Sequence, residues 1–193
     1  MEILKRLEAD ALALPLPVFV SIPIADVEKD GERFTVFAGL DKTTTAELKA
    51  RSLDDSDRDI QQGTSDRKRF GEGSYDAWYA KDRTPFALIH KATGSLAALL
   101  WFGPGTFAGA MVLPEGRTWH TVAYRSYVPF RGKGLMKGLA RFVTEVYLSR
   151  KPNAVLWAGI HEENKASAGL AEALGYRRQE GAGEKGQIIM VRE

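Results

Sequence analysis

From Arg117 to Arg150 the chain has few options: an extended run must turn sharply through glycine and enter a long amphipathic helix. Thr118, His120, Val122, Tyr124 and Ser126 alternate with Trp119, Thr121, Ala123 and Tyr127, and the run stops at Pro129, which cannot continue a ladder. Gly132 and Gly134 follow within Pro129-Phe130-Arg131-Gly132-Lys133-Gly134-Leu135-Met136. Leu135, Leu139, Phe142, Val143, Val146 and Tyr147 then recur at intervals of three and four, an apolar stripe over nearly four turns. A strand that feeds a helix in this way needs a sheet to lie in and a layer to pack on, which points to an α/β arrangement.

The flanking segments agree. Phe86 to His90 and Ser95 to Phe102, joined by Lys91-Ala92-Thr93-Gly94, read as a hairpin too apolar for an exposed sheet, so both strands are expected to be covered on both faces. Lys151-Pro152-Asn153 ends the long helix and Ala154 to Ile160 reads as a strand. Ala166, Leu170 and Leu174 mark a short helix stopped at Gly175, and two strands close the chain, near Tyr176–Gln179 and Gln187–Val191. Upstream, Phe34 to Phe37 predicts a strand, and Thr44 with Glu47 predicts a capping box opening a helix through about Arg51. Asp54 to Gly73 is dense in Asp, Arg, Lys and Gly, and is expected to be a solvated connection or weakly packed short helices. Trp78, Trp101, Trp119 and Trp157 are candidates for lining an apolar pocket, although large aromatics at strand positions usually belong to the core.

At 193 residues with 44% apolar content, one compact domain over residues 1–193 is expected. Residues 1–33 are assigned to an N-terminal extension. The apolar stretch from Ala11 to Ile24 contains Pro15, Pro17 and Pro23 and falls short of the ~20 residues a membrane span needs. With no cysteine there is no thiolate nucleophile and no thiolate metal site. The expectation is a soluble cytoplasmic protein with no metal and no membrane or nucleic-acid partner, since 27 Lys plus Arg against 25 Asp plus Glu leave a net charge of only +2. A homodimer is left open.

The charge is unevenly placed. Between Tyr124 and Lys151 the basic residues Arg125, Arg131, Lys133, Lys137, Arg141, Arg150 and Lys151 stand against Glu145 alone, seven minus one or +6. A glycine turn running into a helix N-terminus aims unpaired N–H groups and the positive end of the helix dipole at one point, which suits an anion, and a polyphosphate above all. The nucleotide P-loop is excluded because Gly134 is followed by Leu135 and Met136 rather than Lys and Ser or Thr. The dinucleotide fingerprint is disfavoured because Lys137 stands where its third glycine belongs, and too little chain remains for a second βαβ half.

Arg131-x-x-Gly134-x-Met136 resembles the pyrophosphate loop of the Gcn5-related N-acetyltransferase (GNAT) superfamily, whose motif reads Gln or Arg, two residues, Gly, one residue, Gly or Ala. Asn164 to Tyr176, an Asn opening a short helix that ends in Leu174-Gly175-Tyr176, resembles the family's second signature. The resemblance covers Thr118 to the C-terminus, the expected cofactor-binding half, and more loosely the hairpin from Phe86. It implies a central mixed sheet flanked by helices, with two adjacent parallel strands splayed so that the pantetheine arm of acetyl-coenzyme A lies between them. Ser126, Tyr127 and Val128 would then bond the pantetheine through their backbone. Arg131, Gly132, Lys133, Gly134, Leu135 and Met136 would hold the pyrophosphate, and Asn164 would reach the arm from the other strand. The implied activity is direct transfer of an acetyl group to a primary amine on a small molecule or peptide.

Two positions depart from the family pattern. Met136 replaces a small residue, so its side chain must turn away from the phosphate. Ala171 stands where many members carry a tyrosine that protonates the leaving thiolate; Tyr176 and Tyr127 are candidate substitutes. Glu163 and His161, at the exit of the strand from Ala154, are the candidates for accepting the amine proton. His120 and Tyr124 lie on the strand leading to the loop, with no facing assigned, and a backbone N–H near Val128 is a candidate oxyanion donor. A non-catalytic acyl-coenzyme A sensor is the alternative that Ala171 keeps open.

Overall fold

A computed structural model describes residues 1–7, 12–107, 109, 111–180, 182–183 and 186–192. Ala11, where the N-terminal apolar stretch begins, lies outside the described residues. The strands are β1 (Glu2–Arg6), β2 (Ile22–Lys29), β3 (Glu32–Ala38), β4 (Thr84–His90), β5 (Leu96–Pro104), β6 (Thr118–Ser126), β7 (Ala154–His161), β8 (Arg177–Gln179) and β9 (Gln187–Arg192). They form one sheet in the order β1-β2-β3-β4-β5-β6-β7-β9-β8. All neighbours are antiparallel except β6 and β7, which run parallel. That exception follows from connectivity: helix α4 (Leu135–Arg150) carries the chain from the end of β6 back to the start of β7, as a parallel crossover must.

Alternation along the strands divides the core into two layers. On one face Ala97, Leu100 and Phe102 of β5 meet Leu135, Leu139, Phe142, Val143 and Tyr147 of α4, the stripe visible in the sequence, and Ala171 of α5 (Lys165–Ala173). On the other, Leu96, Leu99 and Trp101 meet α1 (Lys42–Leu53), α2 (Arg58–Gly63) and α3 (Tyr75–Tyr79) through Leu48, Ile60, Tyr75, Trp78 and Tyr79. Strand β5 is therefore buried over Leu96 to Gly103, as its unbroken apolar run requires. Trp78 and Trp101 are core residues, whereas Trp119 and Trp157 are partly buried beside Phe107 in a third cluster over β7 and β9.

Three expectations need correction. Residues 1–33, expected as an extension, supply β1 and β2, with Ile24, Ala25 and Val27 in the core. Pro23 is tolerated because the β2–β3 register shifts between Pro23 and Ala25, so the missing N–H falls at an irregularity. Helix α1 is capped by Asp41, whose Oδ1 accepts from the Thr44 N–H at 2.7 Å, not by Thr44. Glu47 does not complete a capping box; its carboxylate accepts from the Leu96 N–H and pairs with Arg51, tying α1 to β5. The charged stretch from Asp54 to Gly73 takes the short-helix form of the two expected, but it is packed rather than loose. It forms α2 and a π-helical turn over Arg67–Gly71, and buries Ile60, Phe70 and Asp66. No helix among the described residues is long and apolar enough to cross a membrane.

Candidate functional site

Parallel pairing between β6 and β7 extends only over Thr118 to Thr121 against Ala154 to Trp157. Beyond Thr121 the strands part. Tyr127 donates its N–H to Ala97 O at 3.0 Å, so the alternation of an antiparallel pair turns the backbone groups of Tyr124 and Ser126 the other way, into the gap that β7 has left. Those carbonyls need new partners, and arginines supply them. Tyr124 O accepts from Arg125 Nη1 at 2.8 Å. Ser126 O accepts from Arg131 Nε at 3.2 Å and Nη2 at 3.0 Å. Val128 O, just past the strand, accepts from Arg51 Nη1 at 3.0 Å.

Each guanidinium is held in turn by carboxylates of the α1–α2 side. Arg125 binds the fully buried Asp66 through Nε at 2.6 Å and Nη2 at 3.0 Å, and Arg69 Nη1 reaches the same carboxylate at 2.8 Å. Arg131 reaches Asp57 Oδ2 at 2.8 Å and Asp59 Oδ2 at 2.9 Å; the hydrogen bond to Asp57 leads the interactions that hold its guanidinium above the ordinary arginine value. Arg51 pairs with Glu47 at 2.7 Å. Burial pushes the Arg69 guanidinium below its ordinary value, against the pull of Asp66.

The gap opens into a cleft of about 1190 Å³. One wall is the turn after β6 and the start of α4, with Gly132 at φ 81° and Gly134 at φ 70°. An L-residue is strained in that region, which accounts for both glycines. Gly134 is the N-cap of α4 and offers no side-chain oxygen, so the first N–H groups of the helix face the cleft without a side-chain cap. Met136 packs against the core with part of its surface on the cleft. Gly138, near the place a dinucleotide pattern would need glycine, has a packing reason: a Cβ there would come within 2.8 Å of Met1 Cβ, just before β1. The opposite walls are α2 with Thr64, and the exit of β7 with the start of α5.

Of the residues singled out in the sequence, Ser126, Arg131, Gly132, Gly134, Leu135, Met136, His161, Glu163 and Asn164 come together along this cleft. Tyr127, Val128 and Lys133 do not line it. The Tyr127 N–H is engaged by Ala97, its carbonyl accepts from the Phe130 N–H, and its side chain is buried against Trp101 and α1. Lys133 reaches across to Glu32 at 2.9 Å. Asn164 caps α5, its Oδ1 accepting from the Ser167 N–H at 3.0 Å, so its side chain is already engaged. His161 and Glu163 are exposed.

The two tyrosines proposed to stand in for Ala171 are sealed away: Tyr127 is 1% and Tyr176 4% exposed. Tyr124 is better placed. From β6 it crosses the gap and donates its hydroxyl to Ser167 O on α5 at 2.9 Å, lining both the cleft and a cavity of about 10 Å³ beside Ala171. Burial raises its phenol above the ordinary tyrosine value, so it stays protonated at neutral pH. His120 faces the same side but lies lower, where the strands are still paired. It is 6% exposed, with Nδ1 at 2.6 Å from the Tyr147 hydroxyl and Nε2 at 3.1 Å from Thr118 Oγ1. It belongs to the core rather than to the cleft.

Asp57, Asp59, Asp66 and Arg58 were not anticipated. Asp57 carried a weak local sign, an N-cap residue three positions before the apolar Ile60, whose N–H it accepts. Asp66 carried none, because its partner Arg125 lies 59 positions away.

A family model described as "Acetyltransferase (GNAT) family" matches residues 51–176. No curated protein sequence matches the chain. Among solved structures, the GNAT domain of S. lividans PAT superposes with a TM-score of 0.64 at 16% identity, covering 87% of this chain and 95% of that one. Ribosomal-protein-S5-alanine acetyltransferase from Vibrio fischeri gives a TM-score of 0.58 at 12% identity, over 86% and 95% of the two chains. Mycobacterium smegmatis RimJ in complex with CoA-disulfide gives 0.56 at 15% identity, over 82% and 81%.

Proposed function

The chain belongs to the GNAT acetyltransferase family, and from that premise we propose that it transfers an acetyl group from acetyl-coenzyme A directly to a primary amine, using the gap between β6 and β7. The observation that carries this proposal is the parting of the two strands beside the uncapped, glycine-led N-terminus of α4. An anionic pyrophosphate suits that terminus, held by the N–H groups of residues 132–136. An amide-bearing arm suits a strand edge that has lost its neighbour, at Ser126. The likeness to a RimJ structure that holds a coenzyme A disulfide supports the same ligand class.

Transfer then asks four things of this chain's residues. The amine must lose a proton, for which Glu163 and His161 stand at the cleft. Its nitrogen attacks the thioester carbonyl, and the backbone N–H of Ser126, two residues before Val128 and on the open edge, stabilises the oxygen as charge develops. The C–S bond breaks as the C–N bond is completed. The leaving thiolate takes a proton from the Tyr124 hydroxyl, and the proton given up by the amine nitrogen restores the phenol, so the sum is one acetylated amine, one free thiol and one proton released from the ammonium. The acceptor is an amine of a small molecule or a peptide; one structural relative is by its description an acetyltransferase for an alanine of a ribosomal protein.

The test is release of free thiol from acetyl-coenzyme A over a panel of small amines and peptide N-termini. Amine-dependent release is expected, with His161→Ala and Glu163→Ala lowering turnover more than cofactor affinity. Saturable binding of acetyl-coenzyme A with no release over the panel would favour a sensor instead.

A further inference from the structure

The sequence concentrates positive charge around the α4 turn, but three of its seven basic residues are already paired with carboxylates. Arg125 is matched by Asp66, Lys133 by Glu32, and Arg131 by both Asp57 and Asp59, so the last cluster carries a net negative charge. A guanidinium held this way keeps few donors for a ligand: Arg131 already gives Nε to Ser126 O, Nη2 to Asp57 and Ser126 O, and Nη1 to Asp59. Its side chain is a strut between the turn and α2.

Two other cations line the cleft, are exposed, and make no ion pair among the described residues: Arg58 and Lys137. They stand on opposite walls. Lys137 is the third residue of α4, and helical side chains lean toward the N-terminus, which brings its ammonium over the uncapped N–H groups. Arg58 opens α2, the helix that the Arg131 strut fixes to the turn. We propose that Arg58 and Lys137, from the two walls, are the side chains that recognise the phosphate groups of coenzyme A, and that Arg125, Arg131 and Lys133 are not. This rests on the coenzyme A assignment above. It also gives Asp57 and Asp59 a purpose in a cleft otherwise suited to anions: they anchor α2, and with it Arg58, at the phosphate end.

The experiment is a calorimetric titration of coenzyme A into the wild-type chain and into Arg58→Gln, Lys137→Gln and, as a control for net charge, Lys68→Gln, at low and at high salt. Lys68 is exposed and lies outside the cleft. Each of the first two substitutions is expected to weaken binding about tenfold at low salt and to flatten the salt dependence, as loss of one charge-assisted phosphate contact should. Thermal midpoints should match the wild type, and Lys68→Gln should bind as the wild type does. Wild-type affinity in either Arg58→Gln or Lys137→Gln would overturn the two-walled arrangement. Failure of the wild-type chain itself to bind would instead remove the coenzyme A assignment on which it stands.

Discussion

Strand β6 is two structures in one. Its first half, Thr118 to Thr121, is paired with β7 throughout and with β5 at His120 and Thr121, and the polar side chain it buries, His120, is satisfied by Tyr147 and Thr118. Its second half is paired on one side only, and the polar groups left over are met by arginines from elsewhere in the chain. The same strand thus passes from scaffold to site within about four residues. The difference teaches that an open strand edge inside a sheet must be engineered: its carbonyls are capped by Arg125, Arg131 and Arg51, and its rim is held by Asp66, Asp57 and Glu47.

If that account is right, the open half should depend on its ionic scaffolding far more than the paired half does. Asp66→Ala should have the largest effect. It leaves the Arg125 guanidinium largely buried beside Trp101 without its carboxylate, and removing one member of a buried pair costs about 3–5 kcal/mol. Urea denaturation checks this, and a loss below about 1 kcal/mol would mean that the scaffolding is dispensable. Gly134→Ala should come next, at about 1–2 kcal/mol, because alanine is strained at φ 70°; the same variant should also lose affinity for acetyl-coenzyme A, which a purely structural turn would not predict.

The paired half gives the smallest effect. Burial depresses the His120 imidazole below its ordinary value of 6.5. The unfolded chain therefore binds a proton more readily than the folded one, so this contribution is fully present above pH 6.5 and is lost as pH falls toward the depressed folded value. The slope is at most about 1.4 kcal/mol per pH unit for one proton. Melts between pH 8 and pH 5 should show a shallower decline in His120→Gln than in the wild type; equal slopes would put the pH dependence elsewhere.

These contrasts also explain what could be read in advance. The glycine turn, the α4 stripe, the β4–β5 hairpin and the Asn164 cap are local patterns, each visible within a dozen residues because periodicity and turn chemistry act over that range. The scaffolding is not local. Asp57 and Arg131 are 74 positions apart, and Asp66 looks like one more acid in a charged stretch until its partner is known. The +6 count around the turn includes Arg125, Arg131 and Lys133, whose carboxylate partners lie far away in sequence. β2 was obscured by Pro23, which a register shift and a place near the sheet edge allow. Tyr124 was seen but not oriented, because alternation fixes a face only relative to a neighbour whose own position was unknown.

The most direct test of the central claim is amide hydrogen exchange with and without acetyl-coenzyme A. The account predicts new protection at Ser126 and across residues 132–137, with Thr118 to Thr121 protected equally in both states. Absence of any change at the open half and the α4 turn, under conditions where the ligand is bound, would contradict it.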